Sequence, residues 1–159
     1  MTLLEQLDIK HPIFLAPMAG VSTPQLAAEV SNQGGLGSLG LGASSVEAAR
    51  QQILETQVLT HQPFQVNFFC HQSSALDHDV AKQWIEYLIP QFEKYNAAPP
   101  TELECIYPSF LDHDDYLNLV LETKPKAVSF HFGIPQAQIV DRIIAIADNR
   151  HIIRNGHDR

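Results

Sequence analysis

A parallel α/β sheet is the fold class the sequence predicts, on three observations. Short apolar runs alternate with stretches of helical periodicity. Gly, Pro, Ser and Thr signals separate them, and the order strand, helix, strand recurs along the chain. Such an alternation builds βαβ units and a parallel sheet. The sheet can close as an open doubly wound fold or as a (β/α)₈ barrel, and periodicity alone does not choose between them.

The elements are expected in this order. Pro12 to Ala16 is a short buried strand ending at Pro17. Thr23-Pro24 opens a helix, with a capping hydroxyl and a proline suited to the first helical position, and Leu26, Ala27 and Val30 form its apolar face. Gly34-Gly35 ends it. Leu36 to Leu39 is a second strand, closed by Gly40 and Gly42. Ser44 to Glu47 has capping-box spacing before a helix burying Val46, Ala49, Ile53 and Leu54. Phe64 to Phe69 is a third strand. A longer helix then carries Val80, Trp84, Leu88, Phe92 and Tyr95 on one stripe, and Pro90 is expected to kink or divide it. Leu103 to Tyr107 is an extended segment, and Asp112 caps a helix with Tyr116, Leu117, Val120 and Leu121. Ala127 to Phe132 is the next strand, and Pro135 opens a helix that turns Ile139, Ile143 and Ala147 inward.

Composition limits the function. The 159 residues are 45% apolar and 18% charged, enough for a domain with a real core. A formal net charge of -8 leaves no basic stripe to neutralise phosphates, so a nucleic-acid partner is not expected. Cys70 and Cys105 make no disulfide framework and fit reduced thiols in the cytoplasm. Met1 to Glu5 lacks a basic region followed by a long apolar run, and no apolar run reaches the ~20 residues that span a bilayer, so neither a signal peptide nor a membrane location is expected.

Ligands of parallel α/β folds bind where the strands end, and three clusters fall there. Ala16-Pro17-Met18-Ala19-Gly20 puts small residues at a strand exit, where a flat ligand can approach the backbone; the plainer reading is an ordinary strand-to-helix turn. Asn67 places an amide in an apolar strand, able to read the polar edge of a heterocycle or simply to be satisfied within the core. His131, in Ser129-Phe130-His131-Phe132-Gly133, is a general base, a proton donor or an anion anchor, unless it is structural. Gly35-x-Gly37-x-x-Gly40 matches a dinucleotide fingerprint only superficially. Its glycines follow a helix and flank a strand, which points to close helix-to-strand packing. The histidines and cysteines show no zinc spacing, and no metal is expected.

Four motifs in order carry a resemblance. Pro12 to Pro24, Gly34 to Gly40, Pro63 to Phe69 and Val128 to Pro135 resemble the N-terminal part of the nitronate monooxygenases, formerly called 2-nitropropane dioxygenases. The resemblance implies a partial TIM-like (β/α) barrel of about four to five parallel strands, with residues 1–147 as the N-terminal part of an FMN-binding barrel. It implies that Ala16, Pro17, Met18 and Ala19 lie along the flavin ring, that Asn67 hydrogen-bonds it, and that His131 faces the substrate side. The implied reaction is oxidation of alkyl nitronates with dioxygen. The flavin carries the redox chemistry, and the protein orients and tunes it.

The family pattern continues with a Gly-Gly-His segment bearing the catalytic base and with glycine-rich loops on the FMN phosphate, and neither occurs here; Gly156-His157 has no preceding second glycine. Residues 148–159 lack the apolar strand expected next and read as an atypical, truncated or frame-altered tail. Three functions compete: a flavin oxidoreductase that is weakly active or inactive as this chain, a catalytically dead barrel fragment that self-associates through an open sheet edge, and another flavin barrel such as an enoyl reductase. The Ser129 to Gly133 motif favours the nitronate branch.

Overall fold

The computed structural model of the chain describes residues 2–73, 75–145 and 151–155. They form helix α1 (Leu3–Leu7), α2 (Pro24–Asn32), strand β1 (Gly37–Gly40), α3 (Val46–Leu59), β2 (Phe64–Phe69), α4 (His78–Lys94), α5 (Asp114–Thr123), β3 (Ala127–His131), α6 (Ala137–Ala145) and β4 (His151–Asn155). The chain divides into two compact units, Met1–Gln72 with Tyr107–Arg159, and Ser73–Ile106. The first unit holds a parallel sheet of order β1-β2-β3-β4. The second holds α4.

Register fixes the two faces of the sheet, because paired residues of parallel strands point the same way. Leu39, Val66, Phe68, Val128 and Phe130 share one face and join Ala27, Ala49, Ile53, Leu117, Val120 and Ile143 of the helices in a single buried cluster. Rings fill its centre, with Phe110 4.9 Å from Phe130 and 5.3 Å from Phe68 between centroids. The other face carries Ser38 and Gly40, Gln65, Asn67 and Phe69, and Ala127, Ser129 and His131. Near the strand beginnings Leu7 and Ile9 pack with Leu36 and Ala127, so α1 and the residues after it cover that end. A Thr2–Glu5 capping box starts α1.

The glycine run works as a packing device. A Cβ on Gly37 would collide with the Ala27 carbonyl and stand 2.5 Å from Ser31 Oγ, so α2 lies directly on β1. Ser31 Oγ accepts from the Gly37 N–H at 3.0 Å and donates to the Pro63 carbonyl at 2.9 Å, joining α2 to β1 and to the approach to β2.

Several expectations need correction. Pro12 to Ala16 makes only an isolated parallel bridge, Phe14 with Leu36. Leu36 N donates to the Ile13 carbonyl and Leu15 N donates to the Leu36 carbonyl. Pro12 and Pro17, which lack N–H groups, flank this short contact. Residues 151–155, expected to lack strand character, pair with β3 in parallel, because ladder bonds need only backbone. Leu103 to Tyr107 contains no strand. Helix α4 runs through Pro90 undivided, so of the two outcomes expected there, a kink or a division, the division does not occur. Its apolar stripe is largely uncovered, with Val80, Trp84, Leu88 and Tyr95 exposed. Leu26 and Leu54 also face outward, while Thr56 is buried. Ser45, not Ser44, caps α3, which removes the Glu47 capping box. Asp112 Oδ2 accepts from Ser109 N, and His113 takes the N-cap position of α5 without a side-chain cap. Ala147 lies outside the described residues.

The Gly37 contact sets a test of the fold. Gly37→Ala should lower unfolding stability by about 1–3 kcal/mol, the usual cost of forcing a methyl into packed backbone. Leu54→Ala, at an exposed position, should change it by no more than about 0.5 kcal/mol. Urea denaturation of the purified variants measures both, and an unchanged midpoint for Gly37→Ala would contradict the packing.

Candidate functional site

The three sequence clusters meet where the strands end. Gly40 pairs with Asn67, and Asn67 pairs with Ser129. Atoms of Pro17, Met18 and Ala19 each stand 3.0 Å from where a Gly40 Cβ would be, so a side chain at 40 would push the loop off the sheet. Ser22 locks the loop from beneath, donating from Oγ to the Ala16 carbonyl at 2.8 Å and accepting from Met18 N at 3.0 Å. Ala16, Met18, Ala19 and Gly20 are exposed, which leaves a shelf of small residues and one thioether open to a ligand.

Asn67 is 2% exposed and reaches across to β3. Its Nδ2 lies 2.8 Å from Ser129 Oγ, 3.1 Å from the Ser129 carbonyl and 3.0 Å from His131 Nδ1. Its Oδ1 lies 3.2 Å from the same ring nitrogen. The amide therefore serves either imidazole tautomer, donating to a bare Nδ1 or accepting from a protonated one. With Nδ1 committed to Asn67, Nε2 is the nitrogen that would meet a ligand.

One layer further along, Phe69 pairs with His131, and Gly42 gives the Phe69 ring its space: a Cβ there would come within 2.9 Å. The Cys70 N–H donates to the His131 carbonyl at 2.8 Å, and the Phe110 N–H donates to the Phe69 carbonyl at 2.8 Å. These bonds extend the ladder beyond the strands and hold the histidine end in place. One layer nearer the strand beginnings, Ser38 Oγ and Gln65 Oε1 are buried without a hydrogen-bond partner among the described residues. The face that carries the site is thus polar below Asn67 as well as at it.

Met18, Asn67 and His131, proposed from separate motifs, converge at one end and on one side of the sheet. The sequence reading gave no role to Ser129 or Ser22. Ser129 had a legible signal, since it stands two residues before His131 on a strand and so shares its face. Ser22 had none, because its contact depends on how the loop folds back. A separate cleft lined by Asp8, Thr60, His61, Lys124 and Lys126 lies at the opposite end, where the strands begin, and contains none of the three clusters.

A parallel α/β unit with its polar cluster and exposed small-residue loop at the strand C-termini is the N-terminal part of a (β/α) barrel. The family model described as nitronate monooxygenase matches residues 1–149, and the chain belongs to that family. The nitronate monooxygenase of Paraburkholderia phytofirmans is 54% identical over 138 residues, 87% of this chain and 38% of that protein. That of Pseudomonas aeruginosa is 47% identical over 140 residues, 88% of this chain and 40% of that protein. The chain thus spans about two fifths of the length of these curated relatives. Among solved structures, a nitroalkane oxidase from Streptomyces ansochromogenes superposes with a TM-score of 0.80 at 30% identity, covering 96% of this chain and 42% of that one. FabK from Thermotoga maritima superposes less closely, with a TM-score of 0.59 at 25% identity over 96% of this chain and 36% of that one.

The thiol beside the site supplies a chemical test. Burial pushes Cys70 up to about 11, so it stays protonated at neutral pH, whereas Cys105 is exposed. At pH 8 only about one Cys70 in a thousand would be thiolate. A thiol reagent should modify Cys105 first and Cys70 only slowly or on unfolding, with peptide mass spectrometry identifying the labelled residue. Equal labelling rates would contradict the buried setting.

Proposed function

We propose that the chain forms the flavin-facing N-terminal portion of an FMN-dependent nitronate monooxygenase, acting on small alkyl nitronates with dioxygen. The observation that carries this reading is the junction of two unlike surfaces at the strand ends. One is the shelf of Ala16, Met18 and Ala19, exposed around the half-buried Pro17, and the other is the hydrogen-bond cluster of buried Asn67 and Ser129 with half-buried His131. A flat heterocycle with a polar rim fits such a junction: it needs a backbone surface without bulky side chains along one side and an amide at its edge.

When bound, FMN supplies the electron transfer that couples nitronate oxidation to dioxygen reduction. The shelf bounds one side of the ring, and Asn67 holds its edge. His131 stands on the substrate side, where an Nε2–H donates to a nitronate oxygen. Asn67 holds the ring at Nδ1, by donating to it or accepting from it according to the tautomer. The second reading, an enoyl reductase of the flavin type, draws on the FabK likeness, but identity of 54% to a nitronate monooxygenase against 25% to FabK favours the first.

Activity of this chain alone is proposed to be low. Its described sheet runs from the Phe14 bridge to β4 without closing, so one side of the pocket is open to water. Its open edge favours self-association. The two cysteines are thiols, in keeping with a reducing cytoplasm.

Two measurements test the reading. Oxygen uptake with propionate 3-nitronate or ethyl nitronate and excess FMN should stay far below the ~10 s⁻¹ of an ordinary enzyme. It should rise when the C-terminal portion of a relative is added. In FMN titrations followed by flavin fluorescence, Asn67→Ala should weaken binding about tenfold, the worth of one good hydrogen bond. Unchanged affinity in a variant that remains folded would remove Asn67 from the flavin site.

A further inference from the structure

Phe132 combines a strained backbone conformation with a largely exposed side chain. Its φ is 69°, in the left-handed region that glycine and asparagine occupy at little cost and aromatic residues rarely enter. The residue is 70% exposed, so little of it is buried in return. Both neighbours pin the turn. The His131 carbonyl accepts from Cys70 N at 2.8 Å, and Gly133 lies so close to the Cys70 carbonyl that a Cβ would collide with it. A turn fixed on both sides in this way would be met with less strain by glycine at 132. Strained residues held by their surroundings concentrate where a ligand is bound.

The ring's setting indicates which ligand. Its centroid lies 5.1 Å from Phe69, 6.0 Å from His131 and 6.4 Å from His71. Phe69 in turn meets Tyr107 at 5.6 Å. The left-handed turn thus puts an apolar ring directly beside the imidazole, on the exposed end of the site. An aromatic ring has no hydrogen-bonding group for an anionic head, but it offers contact area to a hydrocarbon chain leaving that head.

We propose that Phe132 is a specificity-determining residue whose ring binds the alkyl chain of the substrate anion that His131 holds by its charged end. The assignment of the anion rests on the nitronate reading above; the apolar contact does not. Chain length is therefore the variable that Phe132 controls. Each methylene that reaches the ring should tighten binding by up to about fourfold.

The test uses the full chain and three probes: ethyl nitronate, hexyl-1-nitronate and neutral 1-nitrohexane. Each is titrated while the amide resonances of His131 and Gly133 are followed by NMR. The original chain should bind hexyl-1-nitronate more tightly than ethyl nitronate. Phe132→Gly should weaken the hexyl probe at least about tenfold and the ethyl probe by less than about twofold, the ring having been in contact with several methylenes. Phe132→Leu should keep part of the chain-length preference. In urea, the midpoint of Phe132→Gly should equal or exceed that of the original chain, since glycine relieves the strained φ. Equal losses for both nitronates, an unchanged hexyl affinity, or a clearly lowered midpoint would each overturn the proposal while leaving the nitronate reading intact. Binding of 1-nitrohexane that depends on Phe132, with no binding of either nitronate, would support the alkyl contact and overturn the nitronate reading instead. Binding of none of the three probes would overturn both.

Discussion

The amide of Asn67 sits 2% exposed between two strands, with Ser129 Oγ at 2.8 Å and His131 Nδ1 at 3.0 Å. A buried amide left without partners costs about 1–3 kcal/mol, so β2 and β3 cannot shift register without losing this amount. A shift of one residue would also send Phe68 and Phe130 out of the helix-side core and onto the polar face. The buried amide and the core-facing rings together fix the register of the two central strands, and the amide orients the histidine at their end. The shelf of residues 16–19 joins the same arrangement through Gly40, which pairs with Asn67 and leaves room for the loop.

The two faces of the sheet differ in character. The helix side is a packed aromatic and aliphatic core in which Tyr116 adds a hydrogen bond, donating from its hydroxyl to the Ser44 carbonyl at 2.7 Å. Burial, and then the nearby carboxylates of Asp112, Glu47 and Asp115, raise the Tyr116 hydroxyl pKa, which keeps it a donor. Apart from Phe69, the opposite face is largely polar from Ser38 and Gln65 up to His131, with two buried oxygens unpartnered among the described residues. Barrel interiors are usually filled by bulky branched side chains. A polar layer beneath a site weakens packing but keeps donors and acceptors close to a polar ligand. At Phe132, strain and exposure coincide beside the imidazole.

The sequence by itself determined the α/β class, because apolar runs and helical periods alternate whatever the chain packs against. It also placed the three candidate clusters at strand ends, because each motif closes a strand of the α/β alternation. The reading of Gly35, Gly37 and Gly40 as packing positions was legible too, because they follow a helix and flank a strand. Where periodicity was weak or shared, the sequence misled. The sequence groups Leu54 with Ala49 and Ile53 as a buried position of one helix, but period says nothing about what covers a face, and Leu54 is exposed while the other two are buried. Residues 151–155 look unlike a strand, yet they form one, because ladder pairing with β3 uses backbone groups that every residue there possesses. Only the tertiary structure decided that Ser129 completes the Asn67–His131 cluster, that Ser22 locks the loop, and that Phe132 stands in a left-handed turn. The first depends on residues far apart in sequence, the second on how a loop folds back on itself and the third on a backbone angle set by neighbours, and no local pattern encodes any of them.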